Sequence, residues 1–164
     1  DFGALQCTPA QPRCGDCPLA GRCLALAAGT VGVRPVKQGR AKVRDRWFNY
    51  LHVTCGGQTL LHRRGGGDIW QGLYEFPLIE TDKAADFAEL AATAAFRELL
   101  GNGRWHLRRS VTMPGHQLSH QLLHAVFHRI ECDAMPAFPS VETAALGGYA
   151  LPRLVDRYLT KYQM

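Results

Sequence analysis

Lysine is scarce in this sequence. Only 4 of its 19 basic side chains are lysine, and the other 15 are arginine. The net charge of +5 therefore rests on guanidinium groups, which suit bidentate phosphate contact better than general solubility. That balance suggests a polyanionic partner. No apolar run approaches the roughly 18 residues of a membrane span, so no membrane partner is expected. No signal peptide is recognisable. There is no initiator Met, and the chain opens in the middle of a motif, so it reads as a piece of a longer protein. Cysteine is sparse after Cys23, with only Cys55 and Cys132 in the rest of the chain. Reduced thiols without a targeting segment point to the cytoplasm. The glycine-rich stretch Gly65 to Gly72 lacks Gly-Lys-Ser/Thr and does not lead into a helix, which excludes a P-loop.

The cysteines that are present are concentrated. Cys7, Cys14, Cys17 and Cys23 are spaced C-x6-C-x2-C-x5-C. Pro9, Pro12, Pro18, Gly15 and Gly21 lie among them, so the segment is a loop. Four thiols returned to one point can form two disulfides, a tetrahedral zinc site or a [4Fe-4S] cluster. Zinc sites usually pair two short C-x2-C knuckles, and only one occurs here. Spacing alone leaves the three readings open.

Along the chain, residues 29–45 read as a basic linker. Six basic residues and one acidic residue lie between Arg34 and Arg46. Trp47 to Cys55 reads as a strand, Gly56-Gly57 as a turn, and Gln58 to His62 as the hairpin partner. Cys55 is expected to be a buried strand residue. Leu73 to Ile79 reads as a further strand. Lys83 to Gly101 reads as one alanine-rich helix closed by Gly101. Trp105 to Met113 reads as a strand, followed by a turn at Pro114-Gly115. His116 to His128 fits either period; as a helix it would place His116, His120, His124 and His128 on one face. Pro136 and Pro139 belong to a loop. Leu151 to Tyr162 reads as a closing helix with Pro152 near its start. The expected architecture is α+β, a mixed sheet with helices packed against it.

Two motifs carry a family resemblance. The cysteine spacing, with Asp1-Phe-Gly-Ala-Leu before it, resembles the cluster loop of the endonuclease III and MutY DNA glycosylases. Ile69-Trp-Gln-Gly-Leu-Tyr-Glu-Phe-Pro77 and Arg97-Glu-Leu-Leu-Gly101 resemble segments of Nudix-fold domains. Working Nudix hydrolases carry further glutamates to hold magnesium. Here Glu98 is followed by Leu99, Leu100, Gly101 and Asn102, so a nucleotide pyrophosphatase is disfavoured, and Arg97 and Glu98 are expected to form a structural helix pair.

Cluster loop, linker and degenerate Nudix-like domain occur in this order in the C-terminal half of the MutY family of adenine DNA glycosylases. The resemblance implies residues 1–28 as the tail of a glycosylase domain, residues 29–45 as the linker, and residues 46–164 as a Nudix-like domain. It implies a [4Fe-4S] cluster on Cys7, Cys14, Cys17 and Cys23, with Arg13 and Arg22 at the DNA backbone. The family removes adenine mispaired with 8-oxoguanine. Its Phe-Ser-His turn, which reaches the lesion, corresponds here to Leu118-Ser119-His120. A hydroxyl at Ser119 can both donate to and accept from the altered base edge. Leu118 can wedge against a base but cannot stack as an aromatic does. Gln117 and Gln121 are weaker candidates, and Gly65 to Gly72 is a loose one for approach to the duplex. The resemblance places the catalytic carboxylates outside this sequence, so the chain alone is expected to bind duplex DNA with 8-oxoguanine opposite adenine, as a monomer, without excising the adenine. The alternatives are an active Nudix nucleotide pyrophosphatase and a zinc-stabilised DNA-binding regulator.

Overall fold

The computed structural model describes residues 2–36, 43–101 and 103–162. The chain divides into two compact units, residues 1–42 and 43–164. Residues 37–42 of the expected linker lie outside the described residues.

The first unit is irregular, as its prolines and glycines require. It contains two single-turn helices, α1 (Phe2–Leu5) and α2 (Leu24–Ala27). The cysteine loop runs between them. It is held by short-range backbone bonds, such as Arg13 N–H to the Gln6 carbonyl at 3.0 Å and Ala20 N–H to the Cys17 carbonyl at 3.0 Å. None of its described residues is fully buried.

The second unit is built on β1 (Arg44–Cys55). Its aromatic and β-branched residues favour the pleated form. Gly56 and Gly57, at φ 53° and 86°, make the two-residue turn into β2 (Gln58–Leu60). Both angles lie in the left-handed region that glycine enters without steric penalty. Short strands β3 (His62–Arg63) and β4 (Tyr74–Glu75) pair across the glycine-rich loop, and β5 (Leu78–Thr81) returns to β1. The single strand expected over 73–79 is thus two. The interruption falls at Phe76-Pro77, where proline has no N–H for a ladder, and the Pro77 carbonyl instead accepts from Leu51 N–H at 2.8 Å.

The helix expected from Lys83 to Gly101 is also two, α3 (Phe87–Ala91) and α4 (Ala94–Leu100). Asp86 and Glu89 form a capping box that starts the first. Thr93 separates them: its hydroxyl donates to the Leu90 carbonyl at 2.7 Å and accepts from Phe96 N–H at 3.2 Å. Threonine can satisfy helix ends in this way, so it interrupts a pattern that periodicity alone would continue. Gly101 ends α4 at φ 58°.

Strand β6 (Trp105–Thr112) precedes β7 (His116–Gln117) and β8 (Gln121–Cys132), so the ambiguous stretch is strand. A short strand β9 (Ser140–Glu142) and a 3-10 turn at Thr143–Gly148, neither expected, lead to α5 (Arg153–Tyr162). The sheet order is β6-β8-β1-β2-β9, with β5 also on β1 and β7 also on β8. β1 and β8 run parallel, from Arg44 opposite Gln121 to Thr54 opposite Glu131, while the other pairings are antiparallel. The mixed α+β sheet matches the expectation.

Both central strands are covered on two sides. Phe48, Tyr50 and Phe127 pack with Leu154, Val155 and Tyr158 of α5. Leu51, Val53 and Ile130 pack with Leu90, Phe96 and Leu100 of α3 and α4. Phe127 stacks on Tyr158 at 4.0 Å and on Tyr50 at 4.8 Å. Burial of such side chains contributes about 1.5–3 kcal/mol each.

Candidate nucleic-acid interface

The turn Leu118-Ser119-His120 joins β7 to β8 at the end of the sheet where β1 begins. Leu118 N–H donates to the Gln121 carbonyl at 2.8 Å, and Arg44 N–H donates to the His120 carbonyl at 3.0 Å. The Gln117 side-chain amide spans the turn, donating to the carbonyls of Leu118 at 2.5 Å and Gln121 at 3.2 Å. The backbone is therefore fixed from both sides. Ser119 and His120 are exposed, and neither side chain makes a hydrogen bond among the described residues. Leu118 is half-buried and packs against the α5-side core. It serves first as the anchor of the turn, which reduces the surface it can offer as a wedge.

Beneath this end of the sheet lies an ionic network that the sequence did not reveal. Arg46 is 6% exposed. It holds Glu80 bidentately at 2.7 and 2.6 Å, Asp68 bidentately at 2.7 Å twice, and the Gln121 side chain at 3.0 Å. Arg64 holds Asp68 at 2.5 Å, Glu75 at 2.6 Å and the Ile69 carbonyl at 2.8 Å. Tyr50 donates to Glu75 at 3.0 Å. Both guanidiniums lie over the Phe48 ring, at 4.7 and 5.7 Å. The Arg46 hydrogen bonds are the leading reason that Asp68 and Glu80 titrate below the ordinary carboxylate range. Burial is the leading cause that pushes the Tyr50 hydroxyl up.

This network pins the glycine-rich loop through Asp68. Trp70 sits in the left-handed region at φ 60°, packed on the core and edge-on to His116 at 5.9 Å. The loop is thus braced on the sheet end that carries the turn. Sequence reading placed Arg46 at the edge of a linker; it is instead an early residue of β1 whose side chain points inward. The clue lay in the acids downstream, Asp68, Glu75 and Glu80, which have the buried arginines as partners.

The stretch is strand, so the histidines do not line one helix face and are spread along the chain instead. His124 stacks on Trp47 at 5.1 Å and meets Asp45 at 2.7 Å, while His128 bonds Ser110 at 2.8 Å. Arg97 and Glu98 do not form a pair either. Adjacent helix residues diverge; Arg97 donates to the Ala92 carbonyl, and Glu98 is exposed. Cys55 is half-buried against the α3–α4 core, and Cys132 is 8% exposed beside it.

In the first unit, Cys7, Cys14, Cys17 and Cys23 line one cavity of about 30 Å3, walled by Pro12, Arg13, Ala20 and Leu26. All four are free thiols, not disulfides. Among the described residues no three of His, Cys, Asp or Glu are grouped to hold a single metal ion. Arg13 and Arg22 are exposed on the same loop.

No described helix is long and apolar enough to cross a membrane. The NUDIX domain model matches residues 49–161. Among curated proteins, the chain is similar to an adenine DNA glycosylase of Buchnera aphidicola, 28% identical over 81 residues, covering 49% of this chain and 23% of the relative. It is similar to an adenine DNA glycosylase of Arabidopsis thaliana, 29% identical over 102 residues, covering 54% of this chain and 16% of the relative. The chain therefore spans under a quarter of the length of either relative. Among solved structures, the fold is similar to the C-terminal domain of mouse MUTYH, seen in complex with human PCNA, at TM-score 0.56 and 16% identity, covering 73% of this chain and 88% of that one. It is also similar to a Nudix hydrolase from M. smegmatis, at TM-score 0.54 and 11% identity, covering 77% and 93%. The family model takes in the sheet from within β1 to the last turn of α5, well over half of the sequence, and on that match the chain belongs to the NUDIX domain family.

Proposed function

We propose that this chain is the lesion-reading portion of an adenine DNA glycosylase that acts on adenine opposite 8-oxoguanine in base excision repair. The observation that carries the reading is the turn at Leu118-Ser119-His120. It presents an uncommitted hydroxyl and imidazole from a braced sheet end. 8-Oxoguanine differs from guanine in a carbonyl at C8 and a hydrogen on N7. A hydroxyl that donates and accepts can bond to both altered positions. The similarity to two adenine DNA glycosylases supports the same direction. In this reading the acid that protonates the departing adenine belongs to the rest of the parent enzyme.

The four cysteines would hold a [4Fe-4S] cluster. A cubane takes one thiolate per iron at its corners. Four free thiols lining one hollow supply the donor set that such a cluster needs. The cluster would cross-link the loop and so fix Arg13 and Arg22 toward a phosphate backbone. Exposed Leu5, Leu19 and Leu24, at 72%, 54% and 85%, offer apolar surface for packing against a glycosylase domain.

The test is equilibrium binding to duplexes containing 8-oxoguanine or guanine opposite adenine, at fixed salt. The wild-type chain should prefer the lesion, and Ser119→Ala should lower that preference by roughly tenfold, as expected for removing a direct base contact. Equal binding to both duplexes by the wild type, or an unchanged preference in the variant, would remove the lesion-reading assignment.

A further inference from the structure

A groove of about 380 Å3 runs between α5 and the connection from β6 to β7. Met113, Pro114 and His116 form one wall. Arg153, Arg157 and Lys161 of α5 line the other, together with Asp156 and Thr160. Residues 153, 157 and 161 recur at intervals of four. They lie along one helix face, about 6 Å apart. That interval is comparable with the step between neighbouring phosphates along a nucleic-acid strand.

The charges are largely uncommitted. Arg153 pairs with Asp156 at 2.5 Å. Arg157 has no hydrogen bond or ion pair among the described residues, and Lys161 has only the face of Tyr162, at 5.2 Å. Arg157 and Lys161 are exposed. The opposite wall adds no acid, and His116 sits against Trp70. The same wall continues without a break into the turn, because β7 (His116–Gln117) leads directly to Leu118-Ser119-His120.

We propose that this groove is a phosphodiester-binding track, in which Arg157 and Lys161 hold successive phosphates of one DNA strand while the neighbouring turn meets the base. The proposal rests on the lesion-reading assignment for its location, and on the spacing and free charge of α5 for its chemistry. It assigns to α5 the sequence-independent part of binding: position and salt dependence, with no base preference.

The experiment is fluorescence anisotropy of a labelled duplex without the lesion, over a salt series, using the whole chain. Arg157→Ala and Lys161→Ala should each reduce the slope of log affinity against log salt by about 1. Arg157→Lys should retain the wild-type slope. Thermal melting of each variant reports whether it is folded. The preference for 8-oxoguanine over guanine should be unchanged in the alanine variants. Wild-type slopes in both alanine variants would overturn the track while leaving lesion reading intact. A wild-type chain with no lesion preference, but with slopes that fall as expected, would remove the reader and keep the track. Polyglutamate serves as competitor: if the alanine variants lose its binding but keep DNA binding, the groove takes an acidic protein segment and the proposal fails.

Discussion

Arg46 and Asp68 meet through two parallel hydrogen bonds of 2.7 Å, joining the start of β1 to the middle of the glycine-rich loop. The same guanidinium takes both oxygens of Glu80 and the amide oxygen of Gln121. One side chain therefore ties together three segments around the turn. Its removal would leave Glu80 without this ion pair and Asp68 with Arg64 alone.

Replacing Arg46 with alanine should destabilise the second unit by about 3 kcal/mol, the cost of removing a buried guanidinium and leaving Glu80 without its partner. Arg46→Lys should recover only part of this, since an ammonium cannot form the bidentate fork. Urea unfolding measures both. A loss below about 1 kcal/mol for the alanine variant would mean that solvent replaces the guanidinium freely.

Two buried histidines make stability fall in mild acid. Burial pulls His52 and His128 from 6.5 down to about 4. Among the described residues each has an Nε2 without a partner, while Nδ1 bonds Tyr158 or Ser110. The unfolded chain takes up these protons first as pH drops. Stability is therefore complete above 6.5, declines between 6.5 and about 4, and draws no further change from these groups below that. His52 alone accounts for at most about 3 kcal/mol across the window. Urea titrations across this range should show the slope, and His52→Gln should reduce it. A flat wild-type profile contradicts the assignment.

Glu80 and Asp68 act lower on the scale. Their folded values are depressed, so their contribution is present above the ordinary carboxylate range and disappears as pH falls below it. Arg46→Met should flatten the acid limb of the stability profile without altering the histidine window. An acid limb identical to wild type would show that Arg46 does not set these carboxyls.

Thr93→Ala should cost about 1 kcal/mol, since it removes the N-cap of α4 and the hydroxyl bond to Leu90. Helical content by circular dichroism and the urea midpoint should both fall. Unchanged values would mean that α3 and α4 merge without penalty when the hydroxyl is lost.

The four thiols have a direct chemical readout. Protein purified without oxygen should contain iron and acid-labile sulfide, and Cys14→Ser or Cys17→Ser should lose both. One zinc per chain with no sulfide would overturn the cluster. The urea midpoint of the second unit should be unaffected by either serine substitution.

Much of the fold was legible because it is local. Trp47 to Cys55, the Gly56-Gly57 turn and the Pro152-led helix each carry their signal within a few residues. The failures were competitions that periodicity ignores. Thr93 offers its hydroxyl to the backbone inside an apolar repeat, and Pro77 withholds a donor inside a strand pattern. His116 to His128 read ambiguously because β8 is buried on both faces along part of its length, so alternation is lost. For the site, the turn at Ser119 was visible as a motif. The brace beneath it was not, because Arg46, Asp68 and Glu80 are distant in sequence and resemble ordinary surface charges until the sheet brings them together.

The parallel pairing of β1 with β8 also governs when the domain can exist. Arg44 opposes Gln121 and Thr54 opposes Glu131, so the central ladder cannot zip until most of the chain has left the ribosome. Until then β1 has only its hairpin partner β2 and the short β5 beside it, and its apolar residues lack their main cover. Such distant pairing raises the loop-closure cost and slows folding. A nascent chain of this protein is therefore exposed to aggregation through β1 during synthesis, and holding that strand in solution is the step at which a chaperone would raise its yield.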